Sequence, residues 1–200
     1  MSEPRPDSVR LALPREAPEL AALQRRVWAA ELGERADAVL GQLDLDTMTE
    51  AWQLSITRPP LASYRVLVAV AANDGQEPDR VVGMATTMPS DDPDATQGVD
   101  GLVGEFLIDP LARGRGHGSR LLNACVDTLR ADGFGLATWW VNSTDDDLRG
   151  FLTGSGWAAD GSHREIGTED ESVRIKQVRL HSDISGGPAD AAETGSPAAD

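Results

Sequence analysis

Apolar residues recur along this chain at two spacings, and the switches between them lay out a run of strands and helices. After a polar start, SVRLAL (8–13) reads as a short strand that Pro14 ends. In 17–32, Leu20, Leu23, Val27 and Trp28 sit at i, i+3, i+7 and i+8, one face of a helix, with Pro18 in the first turn where its missing N–H is harmless. Met48, Trp52 and Ile56 repeat every four residues and mark a second helical region. YRVLVAVAA (64–72) and RVVGMATTM (80–88) are strands joined through the turn-rich NDGQEPD. A polar loop (89–101) leads into a third long strand, LVGEFLI (102–108). Then come an arginine–glycine loop, a helix to about Asp132 and a DGFG break. A strand at 136–141, a short helix at 145–156 and two strands near 157–166 and 172–182 complete the order.

That order predicts a single-domain α/β fold: a mixed, mostly antiparallel sheet flanked by helices, with parallel pairing where a helix intervenes. The domain is expected over 8–184, after a flexible start (1–7) and before a disordered acidic tail, SGGPADAAETGSPAAD (185–200). Composition fits a globular domain, at 40% hydrophobic and 26% charged residues. The formal charge of −15 argues against a nucleic-acid partner, because phosphate backbones would be repelled. It leans mildly toward a cationic acceptor. Neither a leader nor a membrane span is expected, which points to the cytoplasm; the oligomeric state is left open, a homodimer included. Cys125 is the only cysteine, lies on the apolar face of its helix, and reads as core. His117, His163 and His181 are scattered without metal-ligand spacing, so no metal is expected.

One stretch departs from the acidic background. In IDPLARGRGHGSRLL (108–122), Gly114, Gly116 and Gly118 alternate among Arg113, Arg115 and Arg120, with no carboxylate after Asp109. A loop that leaves a strand and opens a helix presents backbone N–H groups the helix cannot pair, and these with the helix dipole make an anion site. Glycine lets a ligand approach the backbone. Ser119 breaks the G-x-G-x-x-G pattern of dinucleotide sites, and G-x-x-x-x-G-K-S/T is absent.

The loop resembles that of the GNAT superfamily of acyl-CoA-dependent N-acetyltransferases, whose signature Q/R-x-x-G-x-G/A is matched by Arg113, Gly116 and Gly118. FLIDP, with Pro110, is similar to the apolar strand end before it, and DDDLRGFLTGSGW to the family's N-x-x-A-x-x-F-Y-x-x-x-G-F/W segment. The likeness spans about 8–182 in element order. It implies a bulged third strand that splays from the strand after the loop helix, with acetyl-CoA wedged in the gap. By position, Phe106, Leu107 and Ile108 would contact the acyl-pantetheine arm. The amides of Gly114, Arg115, Gly116, His117, Gly118 and Ser119 would hold the pyrophosphate, the His117 ring mattering less than its N–H. Arg113 or Arg120 would reach other phosphates, and Asp145 stands where the family's CoA-contacting asparagine lies.

Glu105 is the sole charge in its apolar strand and falls where the family often places an acid near the acyl group. It is the candidate general base, against a pairing with Arg65 or Arg80 or a solvent-facing position. Two departures stand out: Leu152 replaces the family's tyrosine, and Asp145 cannot donate as the asparagine would, Asp145, Asp146 and Asp147 being more simply read as acids that favour a helix N-terminus. Trp139 and Trp140 point to opposite faces of one strand, one to the core and one toward the acceptor. Trp28, Leu32, Leu40, Met48 and Trp52 are expected in the acceptor wall. His163 and Glu165 are read as a solvated strand edge.

The expectation is therefore an acetyl-CoA-dependent N-acetyltransferase acting on a primary amine by direct transfer, with no acyl-enzyme. Small amines, antibiotic amino groups and protein N-termini are open as acceptors. The alternatives are a CoA-binding sensor or partner module without turnover, and a binder of another nucleotide phosphate.

Overall fold

In a computed structural model, residues 6–73, 79–168 and 173–186 of the chain are described. Most of the expected flexible start and acidic tail, and most of the 73–79 turn, lie outside these residues. Seven strands form one sheet in the order β1-β2-β3-β4-β5-β7-β6. They are β1 (Ser8–Leu11), β2 (Arg65–Ala71), β3 (Arg80–Pro89), β4 (Asp100–Ile108), β5 (Leu136–Asn142), β6 (Ala158–Gly167) and β7 (Arg174–Asp183). Only β4 and β5 pair in parallel. The helices are α1 (Ala17–Leu32), α2 (Ala36–Leu40), α3 (Leu45–Thr57), α4 (His117–Ala131) and α5 (Asp146–Gly154). The mixed, mostly antiparallel sheet expected from the residue pattern is the one formed, with β1 shorter than its apolar run.

Alternation along β2 divides the core into two layers. Val66, Val68 and Val70 pack with Leu20, Leu23 and Val27 of α1 and with Met48 and Trp52 of α3. Leu67 and Ala69 face the other way, onto Leu121, Leu122, Cys125 and Leu129 of α4. The buried Trp52 indole donates to Gln24 Oε1 at 2.9 Å, so neither polar group is left unpaired between the helices.

Two irregularities open the sheet at its centre. Ala85 pairs with Phe106 but Thr87 with Val103, so two steps on β3 face three on β4. The extra residue lies in Gly104–Glu105 opposite Thr86, whose Oγ1 accepts the Glu105 N–H at 3.0 Å. On the other side, β4 pairs with β5 only from Asp100↔Leu136 to Val103↔Trp139. Past that point β5 continues along β7 while β4 goes on along β3, and the two strands part. The Asp109 N–H donates to Val82 O at 2.8 Å, which makes 84/107 the next hydrogen-bonded pair inward. The N–H and C=O groups of Phe106 and Ile108 therefore point into the gap.

The polar loop between β3 and β4 is strapped down. Arg179 of β7, only 9% exposed, reaches Asp92 at 3.2 Å, Asp94 at 2.5 Å and Asp160 at 2.7 Å. The Trp140 indole donates to Asp92 at 3.0 Å. The hydrogen bond from Arg179 holds the Asp94 carboxyl below the usual aspartate range. For Asp160 burial pushes upward, but the Ser162 amide and Arg179 outweigh it and the net shift is down.

Depressed carboxylates contribute stability that is present above their unfolded pKa of about 4 and lost as pH falls further. Arg179→Met is expected to cost about 3 kcal/mol at pH 7, as three carboxylates lose their shared cation. In urea titrations it should also flatten the loss of stability below pH about 4. At the bulge, a Cβ on Gly104 would stand 2.5 Å from Thr86 Oγ1 and 2.9 Å from Met88 Cε. Gly104→Ala is expected to displace Thr86, expose the Glu105 amide to hydrogen exchange and cost about 1–3 kcal/mol.

Candidate active site

The parting of β4 and β5 opens onto a cleft of about 610 Å³. One wall is α1 and the chain after it, with Trp28, Glu31, Leu32, Val39 and Leu43; the floor is β4 from Val103 to Leu107. The far wall is Trp139 to Asn142 of β5 and, from the β6–β7 hairpin, Arg164, Ile166, Ile175 and Gln177. Of the residues expected in the acceptor wall, Trp28 and Leu32 line the cleft. Met48 and Trp52 are instead buried in the core behind it, because α3 packs its apolar face onto α1 and β2, and Val39 and Leu43 line the cleft where Leu40 was expected.

Glu105 reaches this cleft because of the bulge. Without an extra residue, Val103, Glu105 and Leu107 would share one face of β4. With it, Val103 packs against α4 while Leu107 packs with the α1 layer, and Glu105 turns with Leu107 toward α1. Burial raises the Glu105 carboxyl from 4.5 to about 7; hydrogen bonds from Gln24 and Trp28 act against the rise, and the Glu31 charge adds to it. Gln24 has its oxygen on Trp52, which leaves its amide NH2 to donate to Glu105. Neither arginine weighed as a partner is there: Arg65 pairs with Asp132 at 2.7 Å and Arg80 with Asp109 at 3.2 Å. Glu31 is also raised, by burial, against the pull of Arg113 at 3.0 Å.

After β4 the chain is turned by Asp109, 3% exposed, whose carboxylate accepts from the Leu111 N–H at 3.0 Å and binds Arg26 and Arg80. Gly116 then takes φ +80°, a left-handed conformation that favours glycine, and α4 starts at His117. The N–H groups from Gly114 to Ser119 have no acceptor among the described residues; the first bonded amide is that of Arg120, on Gly116 O at 3.1 Å. Around them Arg113, Arg115 and Arg120 are exposed, Arg120 lying 3.5 Å from Asp7. The His117 ring, set below its N–H in the reading of the loop, packs inward. It is 4% exposed, with Nδ1 3.7 Å from Asp7, because the first turn of α4 faces the protein interior there.

Phe106 packs against Trp139 with ring centroids 4.7 Å apart and planes tilted by 52°, and Leu107 is buried at the edge of the cleft. Ile108 Cγ1 lies 3.9 Å from where a Cβ on Gly118 would stand, so the strand end and the loop are adjacent. Asp145 both lines the cleft and caps α5, accepting the Leu148 N–H at 2.9 Å. Leu152, in the place of the family's tyrosine, is fully buried in the α4-side core. Glu165 is exposed, 3.7 Å from both Arg174 and Lys176. As expected of adjacent strand residues, Trp139 is core and Trp140 faces the cleft. What sequence reasoning missed is the row beside Trp140, formed by Asn142, Gln177 and Arg164 across three strands. Its members are far apart in the chain, and only the strand register brings them together. Among the described residues, no group of three or more His, Cys, Asp or Glu could hold a metal ion, and no helix is long and apolar enough to cross a membrane.

Solved structures share this architecture. An acetyltransferase of the GNAT family from Streptococcus pneumoniae superposes with TM-score 0.64 at 18% identity, over 90% of this chain and 99% of that one. The protein yncA from Salmonella typhimurium, solved with its cofactor acetyl-CoA, gives 0.63 at 16%, over 98% and 100%. The paia N-acetyltransferase from Thermoplasma acidophilum, in complex with coenzyme A, gives 0.63 at 11%, over 90% and 99%. At these identities the likeness speaks for the fold alone. No curated protein sequence matches significantly. The model of the acetyltransferase (GNAT) family, however, matches residues 26–157, which hold the last part of α1, the bulged strand, the glycine loop and α5. The chain belongs to the acetyltransferase (GNAT) family.

Proposed function

We propose that this chain moves the acetyl group of acetyl-CoA to a primary amine held beside Glu105, by direct transfer between two bound substrates. The observation that carries the proposal is Glu105 itself: a carboxyl aimed by a bulge into the opened sheet and raised to about 7, where it can take a proton near neutrality. The residues present also fit the donor. The unpaired amides of Gly114 to Ser119 suit a pyrophosphate at a helix N-terminus, and the outward N–H and C=O groups of Phe106 and Ile108 suit the amide-bearing pantetheine arm. In this reading Arg113, Arg115 and Arg120 supply positive charge to the phosphates and Asp145 borders the arm.

The ammonium of the acceptor gives a proton to the Glu105 carboxylate, directly or through water. Its lone pair then forms the N–C bond to the thioester carbonyl carbon, the C–S bond breaks, and the departing thiolate takes up, directly or through water, the second proton that the nitrogen sheds as the amide forms. No side chain corresponds to the family's tyrosine, since Leu152 is apolar and buried. A thiol with a pKa of about 8.5 departs with little assistance near neutral pH. An acyl-enzyme on Cys125 is disfavoured, because its thiol is fully buried and pushed up to about 12. The rival reading, a CoA sensor or partner module without turnover, draws on Leu152 and on the capping role of Asp145, which together remove two family contacts.

Glu105→Gln separates the two readings. For an enzyme, kcat/KM of the parent should rise with pH through about 7 and level off. The variant should fall about 10²–10⁴-fold and lose that limb. Thiol release with acetyl-CoA and a panel of amines reads this, and CoA binding without release on any amine supports the sensor. Stability should move the other way. A carboxyl raised from 4.5 to about 7 holds a proton in the native state that the unfolded state has lost, so it erodes stability as pH rises across that window. Glu105→Gln should therefore stabilise by on the order of 2 kcal/mol at pH 8 and by little at pH 4. At the loop, a Cβ on Gly118 would meet Ile108 Cγ1 at 3.9 Å, an ordinary contact, so Gly118→Asp can place a carboxylate in the first turn of α4 without a clash at its Cβ. Calorimetry should show CoA affinity weakened at least about tenfold while the melting temperature holds or rises, because the same dipole that would bind phosphate favours the new acid.

A further inference from the structure

The far wall of the cleft holds an arginine in an unusual state for this chain. The other described strand arginines sit within reach of a carboxylate: Arg10 on Glu16, Arg65 on Asp132, Arg80 on Asp109, Arg174 on Glu165 and Arg179 on three aspartates. Arg164 has no carboxylate within salt-bridge distance among the described residues, although Asp and Glu number 33 against 18 Lys and Arg. Its place is nonetheless closely defined. The guanidinium lies 4.4 Å from the centroid of the Trp140 ring. Its Nε donates to Gln177 Oε1 at 2.9 Å, and Gln177 Nε2 donates to Asn142 Oδ1 at 3.2 Å. Register puts these groups on one sheet face, since Asn142 pairs with Gln177 and Gln177 with Arg164. With Nε held by Gln177 and one face held by the indole, the two terminal nitrogens have no hydrogen-bond partner among the described residues. That is the fork which receives a carboxylate through two parallel hydrogen bonds.

The cleft's own acids are committed elsewhere. Glu31 is on Arg113, Asp145 caps α5, and Glu105 faces Gln24 and Trp28 of α1. Asp92, the carboxylate whose charge Arg164 feels most, is bonded to Arg179 and to the Trp140 indole. Arg164 is exposed as a whole, so its guanidinium is open to an anion entering the cleft, and burial by its surroundings lowers its pKa. Trp28, Leu43 and Ile175 add apolar surface to the same cleft that Arg164 and Glu105 line.

We infer that the amine accepted here carries a carboxylate, bound by the fork of Arg164 while its amino group lies at Glu105, with an apolar body between them. The acceptor is then amino-acid-like, an ammonium at one end and an anion at the other. The inference rests on the acetyl transfer proposed above and narrows it to a substrate class.

The test uses the full chain, acetyl-CoA and matched acceptor pairs that differ only in the carboxylate: 4-aminobutyrate with propylamine, 6-aminohexanoate with pentylamine, 4-(aminomethyl)benzoate with benzylamine. At least one carboxylate-bearing member should exceed its partner in kcat/KM by about 10- to 100-fold, the range of hydrogen bonds to a charged group. Arg164→Gln should bring that pair to near parity by raising KM for the carboxylate-bearing member, and Arg164→Lys, a point charge without the fork, should fall between. CoA affinity by calorimetry should be unchanged in both variants, which shows that they are folded. Transfer to the neutral-tailed amines with no gain from a carboxylate overturns this inference and leaves acetyl transfer standing. So does a gain that Arg164→Gln leaves intact. Release with no amine of either kind overturns the proposed reaction, and this inference with it.

Discussion

The site depends on one added residue in β4. A flat, fully paired sheet would carry β4 alongside β5 to its end, and Glu105 would follow Val103 into the α4-side core. The bulge at Gly104–Glu105 reverses the side-chain alternation in mid-strand, so that Val103 serves one core layer and Leu107 the other. It coincides with the end of β4–β5 pairing, which leaves the polar groups of Phe106 and Ile108 pointing into the gap. Thr86 keeps the irregularity from stranding a buried donor by taking the Glu105 N–H. One local departure from regular pairing thus makes the cavity, supplies hydrogen-bonding edges for a ligand and aims the ionisable group.

The strand then delivers the chain into a turn whose polar groups are treated in opposite ways. Asp109 is satisfied by a backbone amide and two arginines, which fixes the exit from β4. The next amides, Gly114 to Ser119, are left open at the head of a 15-residue helix. A helix cannot pair its first donors by itself, and here no side chain caps them, Gly116 offering none. Open donors at the surface cost little while water serves them, and they keep the site ready for an anion. The same economy is visible at α5, where Asp145 does cap its helix and so closes that terminus.

Much of this was legible in the residues. The α/β order followed from the shift between helical and alternating periods, and the two-sided core followed with it, because valines and leucines alternate along β2 while α1 and α4 each carry one apolar stripe. The glycine–arginine loop stood out by composition, and Glu105 by being charged within an apolar run. Less legible was whatever depends on register. Nothing in LVGEFLI says that the extra residue falls at Gly104, and Trp140, Arg164 and Gln177 become neighbours only through the pairing of β5, β7 and β6. The depth of α3 was misjudged for a related reason: Met48 and Trp52 have helical spacing, which marks an apolar face without saying what covers it. The burial of the His117 ring was not legible either, because a glycine loop gives no sign of which side of the first turn of α4 packs inward.

Net charge is a poor guide to what such a cleft accepts. The chain carries −15, which taken as a uniform field would repel CoA and attract cations. Fields in salt are local, however, decaying over about 8 Å at physiological ionic strength. Within that range the glycine loop presents three arginines, and the far wall of the cleft presents Arg164 free of any carboxylate contact among the described residues. The surplus acids are spent largely elsewhere: on Arg179 under the β3–β4 loop, on Arg65 and Arg10, or on water at the surface. Inside the cleft the acid of interest is Glu105, and because burial raises it, its charge is only partly developed at neutral pH. The site therefore presents a proton acceptor at one end and a fixed cation at the other. In the reading proposed above, that short-range pairing is what selects an acceptor, and the acidity of the whole chain bears on its solubility.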